Sequence, residues 1–89
     1  MTRRQVQIAN RLGLHARAAA RFVQTAAGFE AKITAGRDGR VMDGKSILGI
    51  LLLGASRGTT IEISADGPDE EAAVEALVKL VESRFGEGG

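Results

Sequence analysis

The sequence predicts a two-layer α+β domain with four strands and three helices in the order β-α-β-β-α-β-α. Three observations carry this reading. Segments that alternate polar and apolar residues, as half-buried strands do, are interleaved with segments whose apolar residues recur at helical spacing. The length of 89 residues suffices for one apolar core and no more. Cysteine is absent, so packing alone must hold that core together. Elements with a single apolar face bury it by stacking in layers. Residues 1–89 therefore read as one domain, with no internal repeat or linker and with 86–89 as a flexible tail.

The first strand is placed at Gln5 to Ala9, where Val6 and Ile8 share one side. Asn10 to Leu14 follows as a loop. Ala16 to Ala27 is alanine-rich, carries Ala19, Phe22, Val23 and Ala26 on one stripe, and ends at Gly28, so it predicts a helix. Ala31, Ile33 and Ala35 alternate with Lys32 and Thr34, and a Gly36-Arg37-Asp38-Gly39 turn leads to a strand from Arg40 to Asp43. Ile47 to Leu53 reads as a brief apolar helix with Ser46 as N-cap and Gly54 at its end. About half of Ile47, Leu48, Leu51 and Leu52 are expected in the core, because a small helix must bury one face. Thr59 to Ala65 is the clearest strand, with Ile61 and Ile63 inward. After Asp66-Gly67-Pro68-Asp69, a last helix carries Val74, Leu77, Val78, Val81 and Phe85 as its stripe. Asp69, Glu70 and Glu71 are expected to match the positive end of that helix.

Composition removes several function classes. Twelve basic residues face eleven acidic ones, and Tyr and Trp are missing, so neither diffuse phosphate attraction nor base stacking supports nucleic-acid binding. A small RNA-binding domain is disfavoured on the same grounds. One histidine and no cysteine exclude the usual transition-metal sites, and nothing calls for a cofactor. The apolar run Ile50 to Leu53 is far too short for membrane insertion. A chain without cysteine suits a reducing cytoplasm.

The candidate chemistry centres on His15. An isolated histidine is most often a residue without a special task, but this one stands at a helix entrance. The first turn of a helix offers backbone N–H groups without intrahelical partners, which together with the dipole attract an anion such as a phosphoryl group. Ala16 and Arg17 would supply such amides, and the Arg17 guanidinium adds charge-assisted bonds to phosphoryl oxygens. Gly13 permits an unusual backbone just before the histidine. An imidazole must be neutral to attack phosphorus, and the positive helix end favours that form.

Gly13-Leu14-His15-Ala16-Arg17, Phe22-Val23-Gln24-Thr25-Ala26 and Gly44-Lys45-Ser46-Ile47-Leu48-Gly49 together resemble the HPr family, the histidine phosphocarriers of the bacterial phosphoenolpyruvate-dependent phosphotransferase system. The resemblance runs in register over nearly the whole chain. It implies an open-faced sandwich, a four-stranded antiparallel sheet covered on one face by three helices. It further implies that Nδ1 of His15 accepts a phosphoryl group from enzyme I upstream and passes it to a histidine on an acceptor subunit of enzyme II A type. Arg17 is implied as the stabilising cation. The protein would be a stoichiometric carrier rather than an enzyme, acting as a monomer. Ser46 is implied as a regulatory site for a serine kinase/phosphorylase. A phosphate there would lie beside Ile47, Leu48 and Leu51, which with Arg17, Arg21 and Lys45 are expected to dock partner enzymes. One position departs from the family: Ala18 stands where many members have proline. The alanine-rich helix and the Phe85-Gly86-Glu87 ending look more like proteobacterial members, including a nitrogen-related regulatory branch, so sugar transport and regulation both stand as destinations.

Gly39 to Ser46 also satisfies the nucleotide-binding pattern G-x-x-x-x-G-K-[ST]. A phosphate loop needs one uninterrupted loop between its glycines, whereas Arg40 to Asp43 reads as strand. The pattern is therefore expected to be coincidental.

Overall fold

The structure is a computed structural model that describes residues 1–87. The elements are β1 (Thr2–Gln7), α1 (Ala16–Ala27), β2 (Lys32–Arg37), β3 (Arg40–Asp43), α2 (Ile47–Leu53), β4 (Thr60–Asp66) and α3 (Glu70–Glu82), with a 3-10 turn at Arg84–Gly86. All four strands form one antiparallel sheet in the order β1-β4-β2-β3. The expected element order and sandwich architecture are thus present.

Alternation explains which face each strand buries. Val6 on β1, Ile33 and Ala35 on β2, and Ile61, Ile63 and Ala65 on β4 point into the core. The intervening Arg3, Gln5, Lys32, Thr60 and Glu62 are exposed. Above the buried face lie Ala18, Ala19, Phe22 and Ala26 of α1, Ile50 and Leu53 of α2, and Ala73, Val74, Leu77, Val78 and Val81 of α3. Asp38 and Gly39 form the two-residue hairpin turn, both with positive φ (49° and 80°), as the primed turn that matches strand twist requires.

Several expectations need correction. β1 begins at Thr2 rather than Gln5, because Thr2 to Gln7 pairs residue by residue with Ala65 to Thr60 although its outer half carries no apolar alternation. On α2, Ile50 and Leu53 supply the buried face, while Ile47, Leu48, Leu51 and Leu52 are all exposed. Glu70 and Glu71 stand in the first turn of α3 as expected, while the Asp69 carboxylate, at the N-cap position, accepts hydrogen bonds from the amides of Glu30 and Ala31 at 2.8 and 2.9 Å, tying α3 to the start of β2. Gly86 and Glu87, expected in a frayed tail, are held because buried Phe85 anchors the chain just before them. The remaining tail positions, Gly88 and Gly89, lie outside the described residues.

Glu70 fastens β1 to α3, accepting from Thr2 Oγ1 at 2.6 Å and from the Gly67 amide at 3.2 Å, and pairing with the Met1 amino group at 3.0 Å. The Thr2 hydroxyl, then the Met1 amine and the Gly67 amide, pull its carboxyl down to about 2. A carboxyl depressed by folding stabilises the native state above its unfolded value near 4.5, and that stabilisation fades as pH falls toward about 2. A Glu70→Gln variant should therefore show a shallower loss of thermal stability than wild type between pH 5 and about 2, measured by circular dichroism melts.

Candidate functional site

His15 is the N-cap of α1, with extended backbone dihedrals (φ −74°, ψ 178°) and no side-chain bond to the helix. Its imidazole is thus not spent on capping. The His15 carbonyl accepts the Ala19 amide at 2.8 Å, which starts the helical ladder and leaves the earlier amides of Ala16, Arg17 and Ala18 without intrahelical acceptors. Arg17 is exposed, and among the described residues its guanidinium forms no hydrogen bond or ion pair. Ala18, the position that departs from proline, is completely buried against the core.

The loop before His15 is set by close backbone approach. Gly13 has φ +66°, and a Cβ there would lie 2.7 Å from the Ala55 carbonyl oxygen and 2.9 Å from the Ser56 Cα. The Leu14 amide donates to that same Ala55 carbonyl at 2.9 Å. Asn10, fully buried, donates from Nδ2 to the Gly13 carbonyl at 2.7 Å and so locks the loop from inside. Sequence reasoning passed over Asn10, since an asparagine at a strand end reads as ordinary turn chemistry.

Glu87 completes the site. One carboxylate oxygen accepts from Asn10 Nδ2 at 3.0 Å, and the other pairs with Nε2 of His15 at 2.5 Å. The imidazole is half-buried between them (27 % exposed). An ionised carboxylate can only accept, so the Nε2 edge that faces Glu87 is the donor, which leaves Nδ1 as the ring nitrogen able to carry a lone pair. Partial burial pushes the Glu87 carboxyl up, but the bonds from Asn10 and His15 outweigh it and leave the group below its ordinary value. The carboxylate is accordingly ionised at neutral pH.

The other expected site residues fall at different distances from His15. Arg21 donates to the Phe85 carbonyl, linking α1 to the turn that carries Glu87. Lys45 reaches the Phe29 carbonyl at 2.7 Å, just past the far end of α1. It therefore sits with Ser46 away from His15, whereas the opposite end of α2 leads to Ala55 and the histidine loop. Ser46 is an N-cap as expected, its Oγ accepting the Gly49 amide at 3.0 Å. Between these two ends Ile47, Leu48, Leu51 and Leu52 stay exposed, and Leu12 of the histidine loop is 68 % exposed. Leu12 was not singled out in the sequence, because one leucine in a loop carries no periodic signal. Arg40 to Asp43 is strand β3, so the nucleotide-like pattern is broken by sheet as reasoned above. Among the described residues no cluster of three histidine or acidic side chains could hold a metal ion.

A lone histidine at the mouth of an amphipathic helix, beside amides without intrahelical acceptors and a guanidinium unpaired among the described residues, all on an open-faced sandwich, has the parts of a small phosphoryl-carrying domain. Comparison with known proteins gives the family. The family model described as the "PTS HPr component phosphorylation site" matches residues 2–83, and the chain belongs to the HPr family, the phosphocarriers of the phosphotransferase system. Similar curated relatives include the phosphocarrier protein HPr of Cupriavidus necator, 47 % identical with 99 % of each chain covered, and that of Neisseria meningitidis, 43 % identical over the same shares. Among solved structures, HPr-C-His from Thermoanaerobacter tengcongensis superposes with a TM-score of 0.96 at 48 % identity over all of both chains. HPr from Bacillus anthracis gives 0.87 at 42 % identity, covering 90 % of this chain and 95 % of that one. A further structure of the T. tengcongensis protein is described as an HPr dimer, with a TM-score of 0.79 at 49 % identity, covering 98 % of this chain and 100 % of that one.

Proposed function

We propose that Nδ1 of His15 accepts a phosphoryl group from the upstream phosphotransferase enzyme I and delivers it to a histidine on a downstream acceptor subunit of enzyme II A type. The observation that carries this reading is the division of the imidazole. Nε2 is engaged by Glu87, which leaves Nδ1 available to act as the nucleophile, and His15 stands at the N-cap of α1. The amides of that turn and the Arg17 guanidinium are suited to hold phosphoryl oxygens as charge spreads over them in the transition state. The phosphoryl group is cargo, so no cofactor is required. The carrier works in the cytoplasm as a monomer, since each copy holds all the residues named.

The exposed residues Leu12 of the histidine loop and Ile47, Leu48, Leu51 and Leu52 of α2 are the docking surface, and partners with an apolar patch and an acidic rim complement it. Ser46 caps the start of α2. Phosphate on its Oγ, placed by a serine kinase, would put a dianion beside Ile47 and Leu48 and weaken docking. That is the regulatory reading, and it coexists with carriage by His15.

The test is incubation with phosphoenolpyruvate and enzyme I, followed by intact mass. Wild type gains one phosphoryl mass and His15→Ala gains none; phosphate on the alanine variant would overturn the assignment. In the same assay Arg17→Ala is expected to lower kcat/KM about 10- to 100-fold, the value of a charge-assisted bond worth about 1.5–3 kcal/mol.

A further inference from the structure

The geometry points to Glu87 as a positioning residue for His15: its carboxylate orients the imidazole through Nε2 and pairs the charge that the ring acquires when Nδ1 takes the phosphoryl group. This deepens the function proposed above and rests on it. The contact at 2.5 Å is supported from behind, because Asn10 Nδ2 holds the second carboxylate oxygen and is itself fixed on the Gly13 carbonyl. Asn10 is fully buried and both its donor contacts are to oxygens, so it fixes which way the Glu87 carboxylate faces.

The way the chain reaches this position also indicates a device rather than a chance contact. After α3 ends at Glu82, Arg84, Phe85 and Gly86 all take positive φ (60°, 55° and 76°). Two consecutive residues other than glycine in that region are strained, so other interactions must hold them. Phe85 is 1 % exposed and its carbonyl accepts from Arg21. The turn thereby brings the chain back from the end of α3 to α1 and His15. Phe85 buries the anchor, and Glu87 makes the contact.

Chemically, the Nδ1 lone pair forms the new N–P bond while the bond from phosphorus to the donor histidine nitrogen breaks, its electron pair remaining on the donor ring. Nε2 keeps its proton throughout, so the product ring is a phosphoimidazolium whose positive edge faces Glu87. A carboxylate already aligned with that edge stabilises the positive charge as it develops in the transition state and as it stands in the product, in the manner of the acid that orients a catalytic histidine, and so favours acceptance by His15.

Glu87→Ala and Glu87→Gln separate this role from simple packing, since glutamine keeps the shape and loses the charge. Removal of the group that orients a metal-bound histidine costs about 10- to 100-fold, and a loss on the same scale is expected here. Both variants are expected to be phosphorylated by enzyme I with kcat lower by about that factor and KM for the carrier within about twofold of wild type. Heteronuclear NMR of the unphosphorylated wild type should show a slowly exchanging, low-field Nε2–H of His15, absent in Glu87→Ala. Wild-type kcat in both variants, or no such proton in wild type, overturns the positioning role while leaving His15 as carrier. Wild-type protein that gains no phosphate overturns both readings.

Discussion

Replacing Gly13 with alanine is expected to cost about 1–3 kcal/mol of stability and to slow phosphoryl acceptance by His15 about 10- to 100-fold. The glycine has φ +66°, where an L side chain is strained, and its missing Cβ leaves room for the Ala55 carbonyl that would otherwise stand 2.7 Å away. That carbonyl is also the acceptor for Leu14, the residue before the histidine. Relief of the clash must move either the loop or its anchor, and displacement of a reacting atom by about 1 Å costs on the order of 100-fold in rate. Gly39→Ala is the control. Its φ is +80°, but nothing lies within 4 Å of the added carbon, and the turn is not part of the loop that carries His15. It should lose stability in urea melts and keep the wild-type rate. Equal rates in the two variants would refute the proposed link between loop geometry and chemistry.

The largest stability effect is expected at Phe22→Ala, a loss of about 3–5 kcal/mol. Phe22 has no solvent exposure and lies on the buried stripe of α1 with Ala18, Ala19 and Ala26. Its alanine neighbours are too small to close over the void, and a chain without disulfides has nothing else to compensate. Domains of this size have about 5–15 kcal/mol in total, so the variant should be near its unfolding threshold at physiological temperature. Each kcal/mol lowers the melting temperature by about 4–8 °C, which calorimetry resolves readily. A drop of only a few degrees would mean that the helices repack freely over the sheet. α1 would then be a poor platform for holding His15 in register.

Most of the sheet was legible because strand alternation survives as a pattern in the residues. Ile61 and Ile63 on β4, and Ile33 and Ala35 on β2, needed no tertiary information to be placed inward. The start of β1 was not legible, since Thr2 to Gln5 become strand only through pairing with β4. On α2 the difficulty was the reverse. Six of its seven residues are Ile or Leu, so periodicity cannot say which face is buried, and only the packed α1 and β3 select Ile50 and Leu53. The site divided in the same way. His15, Arg17 and Gly13 lie within five residues and declare themselves locally. Asn10 and Glu87 join them only in space, Glu87 through a turn whose positive dihedrals at Arg84 and Phe85 leave no trace in residue type. A glycine-rich ending reads as fraying because composition cannot report that Phe85 is anchored in the core.

Nδ1 of His15 is the one atom proposed to bear the phosphoryl group. Phosphorus-31 and nitrogen-15 correlation spectra of the phosphorylated protein at neutral pH locate the N–P bond directly. The prediction is a single phosphorus signal coupled to Nδ1 of His15, with Nε2 still protonated toward Glu87. Phosphorus coupled to Nε2, or found on any other residue, would contradict it.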